Sequence, residues 1–503
     1  MYYAYLVPAA EHPQKHSVNA FFLTILCTLI AAAICHFLGR YSLGKLYSRE
    51  KIATTVLLCM IVPALSALPF IFSGTLTNFF QAYFEVVSGY TTTGSTVLKA
   101  KNYDANGSEI PYQITIAGVI PTTYTFYGTV EPVVEPSTGK VLYSGINAVG
   151  KSLLFWRSMT QWLGGIGIIV LFLLVFPHLG IGGKMFYQVE APGYLKKIAF
   201  ALFKIYLFLT AMEVILLMLT NHSLPFFDAL TISFSNLATG AFSIKNHNIA
   251  SYNNAYTEAV VMLFMVIGSI NFALYYFVSR GKIFRLFNRE LFIYLVILLL
   301  GSCFVSWAIH GTSNYTWFEA IRYGSFQAVS ANSTTGFFSA DYDSWPYEAQ
   351  TMMLILMYVG GMAGSTCGGI KIIRHYMLFK IVQYKTESII RPEAVKVFRI
   401  GNREVDYQTQ GSVLCFCVII VSLSVIFTFL HILDGIDPET AIGMVAANIN
   451  NAGLAFRMAG PTESYAFLSN YSLVLAALQM IFGRLEFYAV LAVLVPAFWN
   501  QNG

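Results

Sequence analysis

The chain has 503 residues, of which 56% are hydrophobic and only 11% are charged, and its formal net charge is +5. Soluble globular domains carry about 25% charged residues, so this composition excludes an ordinary water-soluble protein. The positive charge lies mostly in loops between apolar segments, where it is typical of membrane topology and gives no reason to expect a nucleic-acid partner.

Nine apolar segments are long enough to cross a bilayer, which takes about 20 residues in a helix. In chain order they are 18–38, 52–72, 153–177, 198–220, 257–279, 290–310, 350–380, 411–433 and 471–498. Only the seventh is interrupted, by a glycine-rich stretch. The sequence therefore predicts an all-α polytopic membrane protein.

Basic residues give this predicted bundle an orientation. The segments 39–51, 178–204, 280–290 and 371–406 together hold 20 of the 30 Lys and Arg residues. Loops of this kind tend to stay in the cytoplasm, so the other connections face outward. Residues 380–406 are a candidate docking surface for a soluble partner, although a solvated orientation signal explains them about as well.

Four outward connections repeat one pattern, in which a short amphipathic stretch leads into a polar segment that contains glycine. The polar segments are GYTTTGSTV (89–97), SNLATGAFS (235–243), ANSTTGFFS (331–339) and NINNAGLAF (448–456). Aligned on their glycines, they place at equivalent positions Thr93 and Gly94, Thr239 and Gly240, Thr335 and Gly336, and Ala452 and Gly453. Glycine permits the positive φ that turns carbonyl groups toward an axis.

Two interpretations of these four segments are open. Non-helical backbone at membrane depth must line a cavity or be buried in protein, so the segments are a pore lining or structural turns. A ring of four backbone segments can replace the hydration shell of an ion with carbonyl oxygens. The C-terminal ends of the short helices carry partial negative charge, which favours a cation. Four copies of the pattern favour a selectivity filter.

Segment 360–374, GGMAGSTCGGIKIIR, is too rich in glycine for a regular helix, because each glycine costs about 1 kcal/mol relative to alanine. Close packing of helices through small residues would also explain it. We favour a broken span whose middle forms a loop just cytoplasmic of the filter, where it could act as a gate. The candidate gate residues in this loop are Gly361, Gly364, Ser365, Thr366, Gly368 and Gly369.

Two charged residues stand within apolar spans. Arg484, in the motif GRLEFY, would cost about 2.5–3.5 kcal/mol at mid-membrane, and such residues usually face a cavity or a partner. Arg484 could pair with Glu486, although residues two apart on a helix do not share a face. We favour its projection toward the pore and the glycine-rich loop, where its charge would oppose cations. For Glu213 we favour a structural role over a role in transport.

Residues 99–150 are the only long extramembrane insertion. The alternating stretches YQITIAGVI and TYTFYGTVEPVV, with turn signals between them, predict a small β decoration.

Several of these motifs resemble the Trk/Ktr/HKT superfamily of potassium transporters, and most closely its Trk-type bacterial membrane subunits. The resemblance covers nearly the whole chain. It rests on FEVVSGYTTTGSTV, WRSMTQWLGGIGIIVL, STTGFFSADYDSWP, GGMAGSTCGGIK and IFGRLEFYAVLAVLVPAFW. The motifs GSTxGGIK and GRLE are highly specific when they follow the filter segments in that order.

For the fold, this resemblance implies four covalently linked helix–pore loop–helix units around one ion path. The regions are 1–45 for an extra N-terminal helix and 46–180, 181–285, 286–400 and 401–503 for the four units. The Trk branch has one more helix before the first span, so we expect the opening MYYAYLVPAAEH to be its tail and the start to be truncated. The filter glycines, the gating loop 361–369 and the arginine of the final helix, Arg484, follow from the same resemblance.

For function, the resemblance implies a transporter that takes up potassium and is not an enzyme. K+ is the transported ion at the filter residues, and no cofactor is expected. Such subunits form homodimers in the cytoplasmic (inner) membrane of prokaryotes, surrounded by lipids. They bind a cytoplasmic nucleotide-binding regulatory ring of the TrkA/KtrA kind.

Two departures from the family pattern leave the strictness of selectivity open. Ala241 stands where the family often has a second glycine, and NNAGLAF differs from the Trk-like NxGPGLG. A secondary transporter of another small solute, built on broken helices, is the main alternative. It would explain the interrupted span but not four outward segments with a common glycine. A membrane-embedded enzyme would need clustered His, Asp or Glu within spans, and the histidines are scattered.

Overall fold

The computed structural model describes residues 17–40, 48–104, 106–116, 121–135, 138–174, 192–312, 315–391, 398–400 and 403–499. The helix tail expected in 1–16 lies outside these residues. So do parts of the connection 178–204, which is predicted to be cytoplasmic, and of the candidate docking surface 380–406.

The described residues form an N-terminal helix and four successive groups of helices. The N-terminal helix is α1 (Ser17–Gly39). The first group is α2 (Ser48–Ser66), α3 (Leu68–Phe72), α4 (Phe79–Tyr90) and α5 (Lys151–Leu174). The second is α6 (Pro192–Thr220), α7 (Phe226–Leu237), α8 (Ala255–Ser269) and α9 (Phe272–Ser279). The third is α10 (Arg289–Thr312), α11 (Trp317–Asn332), α12 (Tyr347–Val359) and α13 (Ile372–Ile390). The fourth is α14 (Tyr407–Leu433), α15 (Pro438–Ile449), α16 (Asn470–Arg484), α17 (Tyr488–Leu494) and α18 (Pro496–Trp499).

Each group contains one short helix that ends at a polar segment: α4, α7, α11 and α15. The side chain of Asn78 caps the start of α4 and that of Asp437 caps the start of α15, while Thr316 and Glu319 form a capping box at the start of α11. A cap gives the first N–H groups of a helix the acceptors that they lack within it. Side chains thus mark the starts of α4, α11 and α15, whereas α7 begins after Pro225 without a side-chain cap.

Of the nine predicted spans, five agree with the structure, two differ, the seventh is interrupted as predicted, and 153–177 corresponds to α5, which is described only to residue 174. Five helices of the described residues are long and apolar enough to cross a membrane, and they coincide with predicted spans. Spans 257–279 and 471–498 are wrong as continuous helices, since α8 and α9 meet at 90° and α16 and α17 at 115°. The side chain of Asn271 caps a new helix at the first bend, and positive φ at Glu486 and Phe487 makes the second. The interruption of the seventh span, between α12 and α13, is confirmed.

The outer helices expose apolar side chains. In the most apolar 18-residue stretch of each helix, only 6% of the residues of α1 and 22% of those of α14 are buried within the protein. Large apolar side chains such as Leu29, Leu299 and Val425 are more than half exposed. Continuous apolar surface of this extent is stable against lipid rather than water. The predicted all-α polytopic membrane fold is confirmed.

The insertion between α4 and α5 contains the predicted β decoration. Its strands are β1 (Asn102–Tyr103), β2 (Glu109–Ile110), β3 (Tyr112–Ile116), β4 (Thr122–Phe126), β5 (Val133–Val134) and β6 (Val141–Tyr143). They pair as three antiparallel two-stranded sheets. In the basic segment 371–406, β7 (Arg399–Ile400) pairs antiparallel with β8 (Arg403–Glu404).

Tyr124 attaches this insertion to the fourth short helix. Its hydroxyl donates to Oδ2 of Asp437 at 2.7 Å and accepts from the Asp437 N–H at 2.8 Å. Burial raises the pKa of Tyr124, so the hydroxyl keeps its proton for this bond. The Tyr124 ring also packs with Phe126, Met458 and Ala466. The insertion is therefore fixed to the start of α15 in the fourth group.

Candidate ion filter and intramembrane loop

The four polar segments share one backbone geometry. After each short helix a non-glycine residue takes the left-handed conformation: Thr92, Thr239, Thr334 and Asn451, with φ of 52°, 54°, 52° and 51°. The next residue donates its N–H to the carbonyl five residues earlier, at 2.8–3.0 Å: Thr93 to Ser88, Gly240 to Ser235, Thr335 to Ser330, and Ala452 to Ala447. This bond is one of the standard ways in which a helix ends at a left-handed residue. The four helices therefore enter the four segments in the same manner.

This geometry gives a register that departs from the glycine alignment in the second segment. Gly94, Gly336 and Gly453 come next in their segments, with φ of 90°, 86° and 67°. In the second segment that place belongs to Ala241, while Gly240 is equivalent to Thr93. Gly240 is not among the glycines with positive φ. Three glycines and one alanine thus hold the equivalent positions.

The four segments converge at this level. A Cβ atom built on Gly94 would lie 2.3 Å from the Cβ of Ala241, and one built on Gly336 would lie 2.8 Å from it. A Cβ built on Gly453 would lie 3.3 Å from the same atom and 2.2 Å from the carbonyl oxygen of Thr93. Real Cβ atoms essentially never approach other atoms within 3.0 Å. The three glycines are required because four backbones approach one another here.

Threonine hydroxyls support the inner part of the ring. The hydroxyl of Thr93 lies 2.8 Å from that of Thr91 and accepts from Nδ2 of Asn451 at 3.0 Å, which joins the first segment to the fourth. The hydroxyl of Thr335 lies 2.7 Å from that of Ser333. Thr239 differs, because its hydroxyl donates to the backbone carbonyl of Ala238. All the threonines predicted at the filter are buried.

A buried ion pair that the sequence analysis missed holds the outer ends of two segments. Glu85 is fully buried, Arg157 is 3% exposed, and Nε of Arg157 lies 2.6 Å from Oε1 of Glu85. Glu85 also accepts from the N–H of Val97 at 2.9 Å, and Arg157 donates to the carbonyl of Ser243 at 2.7 Å. The pair thereby connects the first segment to the second. Two opposite charges in otherwise apolar stretches were the available sequence signal.

Glu213 occupies a structural position. Its carboxylate accepts from Nδ2 of Asn236 at 2.6 Å, and the same amide donates to the carbonyl of Val261 at 2.9 Å. These bonds hold the last turn of α7 against α8. They agree with the structural role favoured from sequence.

On the side predicted to face outward, the ring opens into a cavity of about 260 Å³, and the lining of this cavity includes Gly94, Ala241, Gly336 and Gly453. Three Lys and Arg side chains also line it, and each has a carboxylate partner. The pairs are Arg157 with Glu85 at 2.6 Å, Lys99 with Glu463 at 2.7 Å, and Lys245 with Asp228 at 3.9 Å. Because each positive charge is paired, the cavity can admit a cation without strong repulsion.

The glycine-rich loop lies under the inner end of the ring. The hydroxyl of Thr366 donates to the carbonyls of Leu237 and Gly268, at 3.1 and 3.0 Å. The N–H of Gly368 donates to the hydroxyl of Thr334 at 2.7 Å. A Cβ built on Gly368 would lie only 1.8 Å from the carbonyl oxygen of Asn450. The loop therefore contacts the second, third and fourth groups directly beneath their polar segments.

The other predicted gate residues determine the backbone conformation of the glycine-rich loop. Gly364 and Gly369 have positive φ, of 78° and 73°. Ser365 donates to the carbonyl of Met362 at 2.6 Å, and Gly361 leaves no space for a Cβ beside Cys367. These contacts give the loop a defined conformation.

Arg484 reaches the loop and not Glu486. Its Nη1 donates to the carbonyl of Thr366 at 2.8 Å. Its Nε and Nη2 are buried, and no partner is found for them among the described residues. Glu486 instead pairs with Arg374 of α13. The alternative in which Arg484 pairs with Glu486 is wrong, because the chain turns at residues 486 and 487.

Comparisons with known proteins bear on this site. A family model for TrkH, described as a cation transport protein, matches residues 135–500. The Trk system potassium uptake protein TrkH of Salmonella typhimurium is 28% identical over 500 residues, which cover 96% of this chain and 92% of that protein. TrkG of Escherichia coli is 27% identical over 506 residues, covering 99% and 94%. The crystal structure of the potassium transporter TrkH from Vibrio parahaemolyticus matches with a TM-score of 0.81 and 26% identity, over 96% of this chain and 93% of that one.

Proposed function

Because the chain belongs to the TrkH family of cation transport proteins, we propose that it carries potassium ions into the cell through the ring of the four polar segments. One observation carries the proposal: four segments with the same backbone geometry meet within contact distance, each at the C-terminal end of a short helix. Backbone carbonyls in such a ring replace the hydration shell of an ion. The partly negative helix ends favour a cation there.

The filter in this proposal consists of two levels. The outer level is formed by Gly94, Ala241, Gly336 and Gly453. The inner level is formed by Thr93, Gly240, Thr335 and Ala452. Thr239 takes the left-handed conformation immediately before Gly240. The ion enters from the outer cavity and loses its water at the first level.

The loop and Arg484 form the gate in this proposal. The loop blocks the inner end of the ring, and its hydrogen bonds to Leu237, Gly268 and Thr334 hold it closed. Arg484 adds a positive charge, which opposes a cation in a site with little water. Uptake then requires the loop to move aside.

The names of the relatives support a proposal for the assembly. Relatives are named as parts of a Trk system, so we propose a homodimer in the cytoplasmic membrane that works with a nucleotide-binding regulatory ring. The ring would bind cytoplasmic surfaces that include 380–406. The four units 46–180, 181–285, 286–400 and 401–503 are the corresponding division of the chain.

Rubidium uptake in a host that lacks its own potassium uptake systems tests this proposal. The chain should restore growth at low potassium and accumulate radioactive rubidium, which excess potassium suppresses and excess sodium does not. The bent spans would also suit a secondary transporter of another solute. Failure of the well-expressed protein to accumulate rubidium, under conditions in which another solute enters, would favour that alternative.

A further inference from the structure

Ala241 is the only non-glycine residue at the outer level of the ring. Its Cβ is the atom that Cβ atoms on Gly94, Gly336 and Gly453 would approach, at 2.3, 2.8 and 3.3 Å. Three segments leave this central space open by having no side chain, and the second segment places a methyl group in it. Ala241 is itself buried, with 6% of its surface exposed, and it lines the outer cavity.

The backbone around Ala241 is hydrogen-bonded to the side chains of Gln161 and Asn248. The N–H of Phe242 donates to Oε1 of Gln161 at 3.2 Å, and a Cβ on Gly240 would lie 2.5 Å from the side-chain carbonyl carbon of Gln161. The carbonyl oxygen of Ala241 accepts from Nδ2 of Asn248 at 3.2 Å. These contacts hold the second segment in the position that places the methyl group of Ala241 next to the other three segments.

From this geometry we infer that Ala241 determines which ions pass the outer level: its methyl group narrows the aperture, so that potassium and rubidium pass and the larger caesium ion is excluded. This inference rests on the proposed function of the ring. A methyl group has no lone pair. An ion that passes Ala241 therefore loses hydrating water on that side and gains no oxygen ligand to replace it. A larger, more weakly hydrated cation such as caesium is limited by the aperture itself.

Ala241→Gly tests this inference in the full-length protein in the potassium-uptake-deficient host. The ratio of caesium to potassium uptake should rise about tenfold, the lower end of what one methyl group contributes to discrimination by size. Ala241→Val, with two more carbons at the same place, should abolish uptake of both ions. Ala148→Gly is the matched control. Ala148 lies in the 3₁₀ turn Gly145–Ala148, and its methyl group packs in the hydrophobic core instead of the ring. That control should keep the wild-type ratio.

Ala241→Cys gives a second measurement. Its thiol would face the ion path, so external silver ion should block rubidium uptake, and the wild type with its own cysteines is the reference. Wild-type caesium exclusion in Ala241→Gly would overturn the inference, and so would the absence of a silver block in Ala241→Cys. Gly336→Ser in the same assay tests the filter proposal separately. If it abolishes uptake, the filter proposal stands even where the inference on Ala241 fails. If Gly336→Ser leaves uptake and selectivity unchanged, the filter proposal itself fails.

Discussion

At the scale of the residue, Gly94→Ser adds a side chain where the second segment leaves no room for one and where the backbone φ favours glycine. A Cβ there would lie 2.3 Å from the Cβ and 2.6 Å from the N of Ala241, and the φ of +90° disfavours any side chain. We expect loss of potassium selectivity over sodium together with a large loss of uptake, measured as rubidium and sodium accumulation at equal expression. Gly435→Ser is the control, because its φ of +87° is similar and nothing lies within 4 Å. Wild-type selectivity in Gly94→Ser would remove this residue from the filter.

Arg484 allows its charge and its hydrogen bond to be separated. Arg484→Ala removes both the charge and the bond to the carbonyl of Thr366. We expect it to raise basal rubidium uptake and to weaken the dependence on a regulatory partner, while the preference for potassium over sodium stays as in the wild type. Arg484→Lys keeps the charge and should retain more of the barrier than Arg484→Gln, which keeps only a donor. Wild-type basal uptake in a well-folded Arg484→Ala protein would show that the charge is no barrier.

At the scale of the element, Gly368→Ala tests whether the loop closes the path. Its Cβ would lie 1.8 Å from the carbonyl oxygen of Asn450, so the loop cannot keep its place beneath the ring. We expect higher basal uptake in the absence of a partner. Gly167→Ala in α5 is the control, because nothing lies within 4 Å of the added carbon, and alanine there should be neutral or stabilising. A Gly368→Ala protein with wild-type uptake and stability would contradict a closed loop.

The insertion should affect stability and not ion preference. Tyr124→Phe removes both hydrogen bonds to Asp437. The expected loss is about 1–3 kcal/mol in the free energy of unfolding, since each bond contributes about 0.5–1.5 kcal/mol. Thermal unfolding of the detergent-solubilised protein measures it, with Tyr127→Phe, whose ring is 55% exposed, as the control. Equal unfolding temperatures for the two variants would show that the insertion is not held through this contact.

The hydropathy of the sequence predicted the interruption of one membrane span but not the bends in two others. The interruption between α12 and α13 was visible because five glycines stand close together. The bends at Asn271 and at Glu486 were missed because a count of apolar residues contains no information on backbone direction. A single polar residue that caps a new helix, as Asn271 does, leaves the apolar average almost unchanged.

At the scale of the whole molecule, the convergence of the four segments could be predicted but their register could not be read from glycines alone. Ser88 and Ser330 each stand six residues before a ring glycine, whereas Ser235 stands five residues before Gly240. Alignment on these serines, whose carbonyls end the short helices, would have placed Ala241 in the ring. The Arg157–Glu85 pair was also missed, because partners 72 residues apart meet only through the fold.

The central claim is that potassium crosses the membrane through this ring. The most direct test is isotope flux into lipid vesicles that contain the purified Arg484→Ala protein, in which the barrier under the ring is weakened. The account predicts rubidium entry that equal concentrations of potassium suppress and equal concentrations of sodium do not, and it predicts that adding Gly94→Ser removes this distinction. Rubidium entry that sodium suppresses as well as potassium does, or that is unchanged by Gly94→Ser, would contradict it.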